Sequence, residues 1–257
     1  MSVDITSASN PHVRELAKLK TRRGRNAAQR FLIEGARELA RAIDAGVIID
    51  EIIFSPALAT PEAHAVADGA PVVTTVGEAP FEKLSIRQGP DGIVGVAESW
   101  APAPDGIESD LVLVAEGTEK PGNLGAMLRT ADGAGAGVVA TDPTVDLFNP
   151  NVIRASQGSL FTVPVALSDA ATVVRWATAR GSVVVLTPDA GSLVWEADLT
   201  GRVSIVVGSE HAGVTDRWLD VGTAVRIPMA GEADSLNTSV AAAIVLYEAV
   251  RQREVAK

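Results

Sequence analysis

The chain has 257 residues, 47% of them hydrophobic and 21% charged, with a formal net charge of −10 and no cysteine. That length supports one large domain or two unequal ones, and the composition is that of a globular chain rather than a disordered one. The missing cysteine excludes disulfides, thiolate metal sites and cysteine nucleophiles, and three scattered histidines (His12, His64, His211) suggest no metal site.

No apolar core follows Met1, and no run approaches the ~20 apolar residues that cross a bilayer, so a cytoplasmic location is expected. The charge is unevenly spread. Residues 1–41 hold nine basic and four acidic side chains, a balance of +5 that leaves −15 on the rest. An asymmetry of this kind points to a polyanion-binding end, while its bland reading is a solvated helical face.

In chain order, "NPHVRELAKLKTRRGRNAAQRFLIEGARELARAIDAG" reads as helix, basic turn, short strand and helix, opened by Asn10-Pro11 and closed by Gly46. Residues 48–55, 71–76 and 92–99 are short β-rich runs. A small α/β domain over residues 1–100 follows, then a Pro- and Gly-containing linker at 101–109 and a second domain at 110–257. In that domain the strands 111–117, 137–142, 182–187, 203–208 and 224–229 are continuous valine-rich runs, as in a parallel sheet covered on both faces. Helical stretches fall at 123–134, 149–158, 169–180, about 213–220 and after Leu236. Ligands of such sheets bind beyond the carboxyl ends of the strands, which directs attention to the loops after Glu116, Leu186, Val207 and Ile227.

Gly133, Gly135 and Gly137 imitate a nucleotide-binding repeat but lie between helix and strand, so they read as a helix stop and a turn. The turn that does leave a strand, "EGTEKPGNLG", lacks the G-x-G-x-x-G spacing, which counts against a dinucleotide oxidoreductase. Asn123 stands where a helix cap belongs, Gly125 and Ala126 admit close approach, and Arg129 projects one turn beyond Gly125. Singly, Asn123 reads as a cap and Arg129 as a surface arginine. "VVGSEHAGV" places Gly208, Ser209, Glu210 and His211 after a buried strand; a lone histidine in such a turn is usually structural. "RIPMAGEADSLNTSV" breaks at Pro228 and enters a helix near Leu236, with Ser235 or Asn237 available as its cap. A helix start alone does not explain so dense a set of hydrogen-bonding side chains.

"NLGAMLRTA", "VVGSEHAG" and "IPMAG…SLNTSVAAAI" resemble, in order and spacing, the three motifs of the SpoU (TrmH-like) ribose methyltransferases. "SASNPHVRELAKL" and "RFLIEGARELARAIDAG" are similar to the family's RNA-binding accessory domain. Thr238 stands where members commonly carry valine, and His211 where glycine or alanine is usual. The resemblance implies a SPOUT-type parallel sheet with a C-terminal trefoil knot, a homodimer, S-adenosylmethionine as methyl donor and an RNA 2′-hydroxyl as acceptor. Through the same resemblance Arg129, Asn123, Glu210, Ser235 and Asn237 are the catalytic set, and Gly208, Ile227, Leu236, Leu186, Thr187 and Met229 hold the cofactor. Arginine is effectively always protonated, so Arg129 suits a phosphate clamp that lowers the hydroxyl pKa better than it suits a base, although base action stays open. Lys20, Arg22, Arg23, Arg25 and Arg30 are expected to grip RNA phosphates. The accessory domain favours 23S ribosomal RNA as substrate; a tRNA 2′-O-methyltransferase and a non-catalytic RNA-binding or ribosome-assembly protein on the same fold are the alternatives.

Overall fold

A computed structural model describes residues 4–142 and 145–255, and the chain divides into two compact units, Met1–Trp100 with Asp146–Thr162, and Ala101–Val145 with Val163–Lys257.

The first unit begins with α1 (Pro11–Lys18), capped by Asn10, whose side chain accepts a 2.8 Å hydrogen bond from the His12 amide. The basic stretch expected to be a turn is a second helix, α2 (Arg22–Ala28), because Thr21 caps it through the Gly24 amide at 3.1 Å. There follow β1 (Arg30–Glu34), α3 (Ala36–Asp44), β2 (Ile49–Phe54), α4 (Pro61–Asp68), β3 (Val73–Thr75), α5 (Glu78–Leu84) and β4 (Ile93–Glu98). The sheet runs β1-β4-β2-β3, with β4 antiparallel to both neighbours and β2 parallel to β3. One core gathers Val13, Leu16, Leu32, Ile53, Phe81 and Val96. An aromatic cluster centres on Phe31, whose ring lies 4.5 Å from Phe148 and 5.9 Å from Trp100.

The second unit is built on β5 (Leu111–Glu116), α6 (Pro121–Ala134) and β6 (Gly137–Thr141). The chain then contributes α7 (Pro150–Ala155) to the first unit before returning with β7 (Val165–Ser168), α8 (Ala170–Arg180), β8 (Ser182–Leu186), β9 (Ser192–Leu193), β10 (Val203–Val207), α9 (Asp216–Leu219), β11 (Thr223–Arg226) and α10 (Thr238–Val255). Among the described residues its sheet has seven strands, ordered β7-β6-β5-β10-β8-β11-β9, every pair parallel. Burial on both faces is what this demands: Val112, Val114, Val139, Val183, Val185 and Val206 share one face's core with the buried Trp218, and Leu113, Val138, Val184 and Ile205 are buried on the other.

Two boundaries differ from the sequence division. Residues 146–162 belong to the first unit, since Phe148 and Phe161 stack on the Phe31 ring. Residues 101–109 are packed rather than free: Ile107 is buried in the second core, and the Pro102 carbonyl accepts from the Leu167 amide at 2.9 Å. An apolar side chain in a Pro-rich segment was the overlooked signal. Gly135, at φ +65°, ends α6 and supplies the helix stop read from the glycine series.

Candidate active site

Strands β5, β10, β8 and β11 lie side by side and parallel, so the segments that leave their carboxyl ends converge. They enclose a cavity of about 400 Å³. Leu186 and Thr187 enter from β8, Gly208 from β10, Ile227 and Met229 from β11, and Leu236 from the approach to α10. Glu210, Ser235 and Asn237 line the same space.

The loop after β10 is tied by reciprocal backbone bonds between Ser209 and Gly213, at 3.1 and 3.2 Å. Gly208 has no room for a side chain, because a Cβ there would collide with the Gly213 backbone. Glu116, buried at the end of β5, holds the far side of that loop by accepting from the amide and the hydroxyl of Thr215, both at 2.8 Å.

Helix α6 begins earlier than its sequence suggests, with Lys120 as N-cap and Pro121 at the first helical position, a favoured place for proline. Asn123 is therefore not the cap. It sits inside the first turn, 8% exposed, and its side-chain amide bridges two other segments. Its Nδ2 donates to Glu210 Oε1, and its Oδ1 accepts from Asn237 Nδ2 at 3.1 Å. Asn237 itself caps α10, its Oδ1 accepting from the Ser239 amide at 2.9 Å and the Ser239 hydroxyl at 2.7 Å. A chain Asn237–Asn123–Glu210 thus joins the three motif segments. The second carboxylate oxygen, Glu210 Oε2, is buried and has no hydrogen-bond partner among the described residues. Thr238 adds a further tie, its hydroxyl donating to the Gly208 carbonyl at 3.1 Å.

Arg129 is not brought to this cavity; it is exposed on α6, six residues beyond Asn123 and so well around the helix. His211 lines the cavity and is exposed. Lys120, Thr238 and Asp234 also line it and were not singled out as site residues from sequence. Only Lys120 carried a usable signal, through the proline that follows it. Among the described residues no group of three or more His, Asp or Glu side chains is placed to hold a metal ion.

Of the expected phosphate contacts, Arg25 is a correction. It is 3% exposed, its Nε donates to Asp146 at 2.7 Å and its Nη1 to the Leu19 carbonyl at 2.8 Å, so it holds the first unit together and is shut off from RNA. Lys20 spends its ammonium on the carbonyls of Lys83 and Ser85, and Arg30 pairs with Asp50 at 3.1 Å. Arg22 and Arg23 are exposed.

The sequence model of the SpoU rRNA Methylase family matches residues 110–247. The chain belongs to the SpoU rRNA methylase family. An MRM3-like substrate binding domain matches residues 10–95. The chain is 31% identical to the 23S rRNA (uridine(2479)-2′-O)-methyltransferase of Streptomyces viridochromogenes, over 97% of this chain and 92% of that protein. A crystal structure of an RNA 2′-O ribose methyltransferase is similar over 97% of this chain and 99% of its own, with TM-score 0.84 and 43% identity. The SpoU methyltransferase AviRb of Streptomyces viridochromogenes, in complex with the cofactor AdoMet, is similar over 95% and 98% of the two chains, with TM-score 0.87 and 28% identity.

Proposed function

We propose that this SpoU-family protein methylates the 2′-hydroxyl of a ribose in 23S ribosomal RNA, using S-adenosylmethionine, as a cytoplasmic homodimer whose C-terminal segment is tied in a trefoil knot. The observation that carries the activity is the Asn237–Asn123–Glu210 chain on the wall of the cavity, ending in an unsatisfied buried carboxylate oxygen.

The residues present fit the cofactor. A cavity of about 400 Å³ lies within the ~300–1,000 Å³ of small-molecule sites. Leu186, Ile227, Leu236 and Met229 supply apolar walls, Thr187 adds a polar side chain, and Gly208 leaves the backbone without bulk. When bound, S-adenosylmethionine supplies a methyl group activated by its sulfonium.

The acceptor hydroxyl is a poor nucleophile and must be oriented and polarised. A buried acceptor left unpaired costs roughly 1–3 kcal/mol, more when charged, and a ribose hydroxyl donating to Glu210 Oε2 removes that cost. The two asparagines hold Glu210 in place for it, and Ser235 adds a hydroxyl on the same wall. Arg129, exposed on α6 outside the cavity, is assigned to an RNA phosphate at that surface through the family resemblance and not through any contact with the cavity.

The homodimer reading is supported by Val240 and Tyr247, exposed at 47% and 52% and seven residues apart on one face of α10. The knot reading is supported by the position of β10 between β5 and β8 and by the Thr238 tie that returns the segment after β11 to Gly208.

The test is methyl transfer from labelled S-adenosylmethionine to unmodified 23S rRNA, 16S rRNA and tRNA in parallel, beside Arg129→Ala. Label in 23S rRNA alone, lost in the variant, is expected. Label in tRNA alone would reassign the substrate, and cofactor-independent RNA binding without label would return the protein to a non-catalytic role.

A further inference from the structure

Most basic side chains of the N-terminal run are engaged within the first unit: Lys18 with Glu15, Lys20 with two carbonyls, Arg25 with Asp146, Arg30 with Asp50 and Arg41 with the Gln157 carbonyl. A different group of arginines in that unit faces an open cavity of about 460 Å³, lined by Arg37 from the first turn of α3, by Ile86, Arg87 and Gln88 from the loop after α5, and by Arg154 from α7.

The cavity wall is built. Glu38, 1% exposed, holds two of these arginines: Oε1 accepts from Arg37 Nη2 at 2.8 Å, and Oε2 lies 2.9 Å from Arg87 Nη2. Arg87 also donates to the Glu34 carbonyl at 2.8 Å, and its Nη1 stands 3.8 Å from Asp91. Gly35, at φ +116°, makes room for this pair, since a Cβ there would collide with Glu38 Oε2 and Arg87 Nη2. The arrangement leaves capacity over. Arg87 Nε is buried without a hydrogen-bond partner, and the exposed Arg154 side chain has no ion pair or hydrogen bond among the described residues. Three arginines therefore line the cavity, while Glu38 and Asp91, which answer two of them, do not line it.

Guanidinium forks match the paired oxygens of carboxylates and phosphates, and the phosphodiester is the anion that an RNA substrate supplies. We infer that the Arg37–Arg87–Arg154 cavity is a phosphate-binding site through which the first unit grips the backbone of its substrate RNA. The inference rests on the RNA methyltransferase reading for the identity of the polyanion, and it moves the main phosphate contact from α2 to the α3–α7 side of that unit.

The test uses the full chain and an unmodified 23S rRNA transcript, with binding titrated across KCl concentrations. Arg37→Gln, Arg154→Gln, their combination and Arg154→Lys are compared with the parent chain. The double variant is expected to bind RNA about tenfold or more weakly, and the slope of log affinity on log salt is expected to fall by about 1.4, two phosphates at roughly 0.7 each for single strands. Arg154→Lys keeps the slope and recovers part of the affinity, because the charge remains and the fork does not. S-adenosylhomocysteine affinity and thermal midpoint report an intact fold; if the double variant is destabilised, Arg154→Gln alone decides, since that side chain has no partner to lose. A parent chain that methylates 23S rRNA while the variants bind it with unchanged affinity and slope overturns the phosphate site and leaves the methyltransferase reading standing. A parent chain that neither binds nor methylates any RNA overturns both.

Discussion

Asn237 does two jobs with one amide. Its Oδ1 caps α10, and its Nδ2 reaches Asn123. The substitution Asn237→Asp keeps the acceptor that caps the helix and loses the donor, so methyl transfer should fall by tenfold or more while the unfolding midpoint barely moves. Asn237→Ala should lose activity and, in addition, about 1 kcal/mol of stability with the cap. Equal activity in the Asp variant and the parent would remove Asn237 from the catalytic set. Thr238 is legible in sequence only as an isosteric departure from valine, yet its hydroxyl ties the α10 entry to the Gly208 carbonyl across the cavity. Restoring valine should weaken S-adenosylhomocysteine binding by roughly 1 kcal/mol, about fivefold, by calorimetry, with little effect on turnover at saturating cofactor. Gly208→Ala should be far worse for binding, because its Cβ has only the Gly213 backbone to meet.

At the scale of elements, α2 shows how composition misleads. Thr21-Arg22-Arg23-Gly24-Arg25 reads as one basic surface, but Arg25 is buried against Asp146 while Arg22 and Arg23 are exposed. Residues three apart share a helix face, so it is the distant Asp146 and not the helical period that separates Arg25 from Arg22. Arg25→Ala should therefore act as a folding variant. Breaking a buried pair leaves Asp146 uncompensated and costs ~3–5 kcal/mol, seen in denaturant melts, where a surface phosphate contact would change only the salt dependence of RNA binding. Helix α6 gives the opposite lesson. Its start was displaced because asparagine is a common cap, whereas Pro121, ahead of it in the chain, was the stronger marker. Helix α10 carries Val240 and Tyr247 outward, and Val240→Glu with Tyr247→Glu should convert a sedimenting dimer to monomer; an unchanged sedimentation coefficient would argue against this helix as the subunit interface.

For the molecule as a whole, Glu38 ties stability to pH. Burial alone would raise the pKa of Glu38, but hydrogen bonds from Arg37 and Arg87 and the Arg87 charge together hold it below the usual carboxylate range. A carboxylate whose folded pKa is depressed contributes stability that is fully present above its unfolded pKa and is lost as pH falls through the folded one. Denaturant melts of the full chain should show stability falling below the ordinary glutamate range. Glu38→Gln should flatten that dependence while lowering stability at neutral pH, since two arginines lose their shared counter-charge. The residues around the cavity came through the resemblance of the three motifs to the SpoU family, whereas the valine runs and the turn residues were enough by themselves to specify a parallel α/β unit and its ligand-binding end. These are local properties, set by periodicity, capping and chain order. Tertiary structure alone decided that residues 146–162 join the first unit, that Arg25 is buried, that Asn123 bridges Glu210 and Asn237, and that Arg37, Arg87 and Arg154 share a cavity. Each depends on which distant side chain fills the space opposite, and that is a property of packing between segments up to 121 residues apart rather than of any one of them.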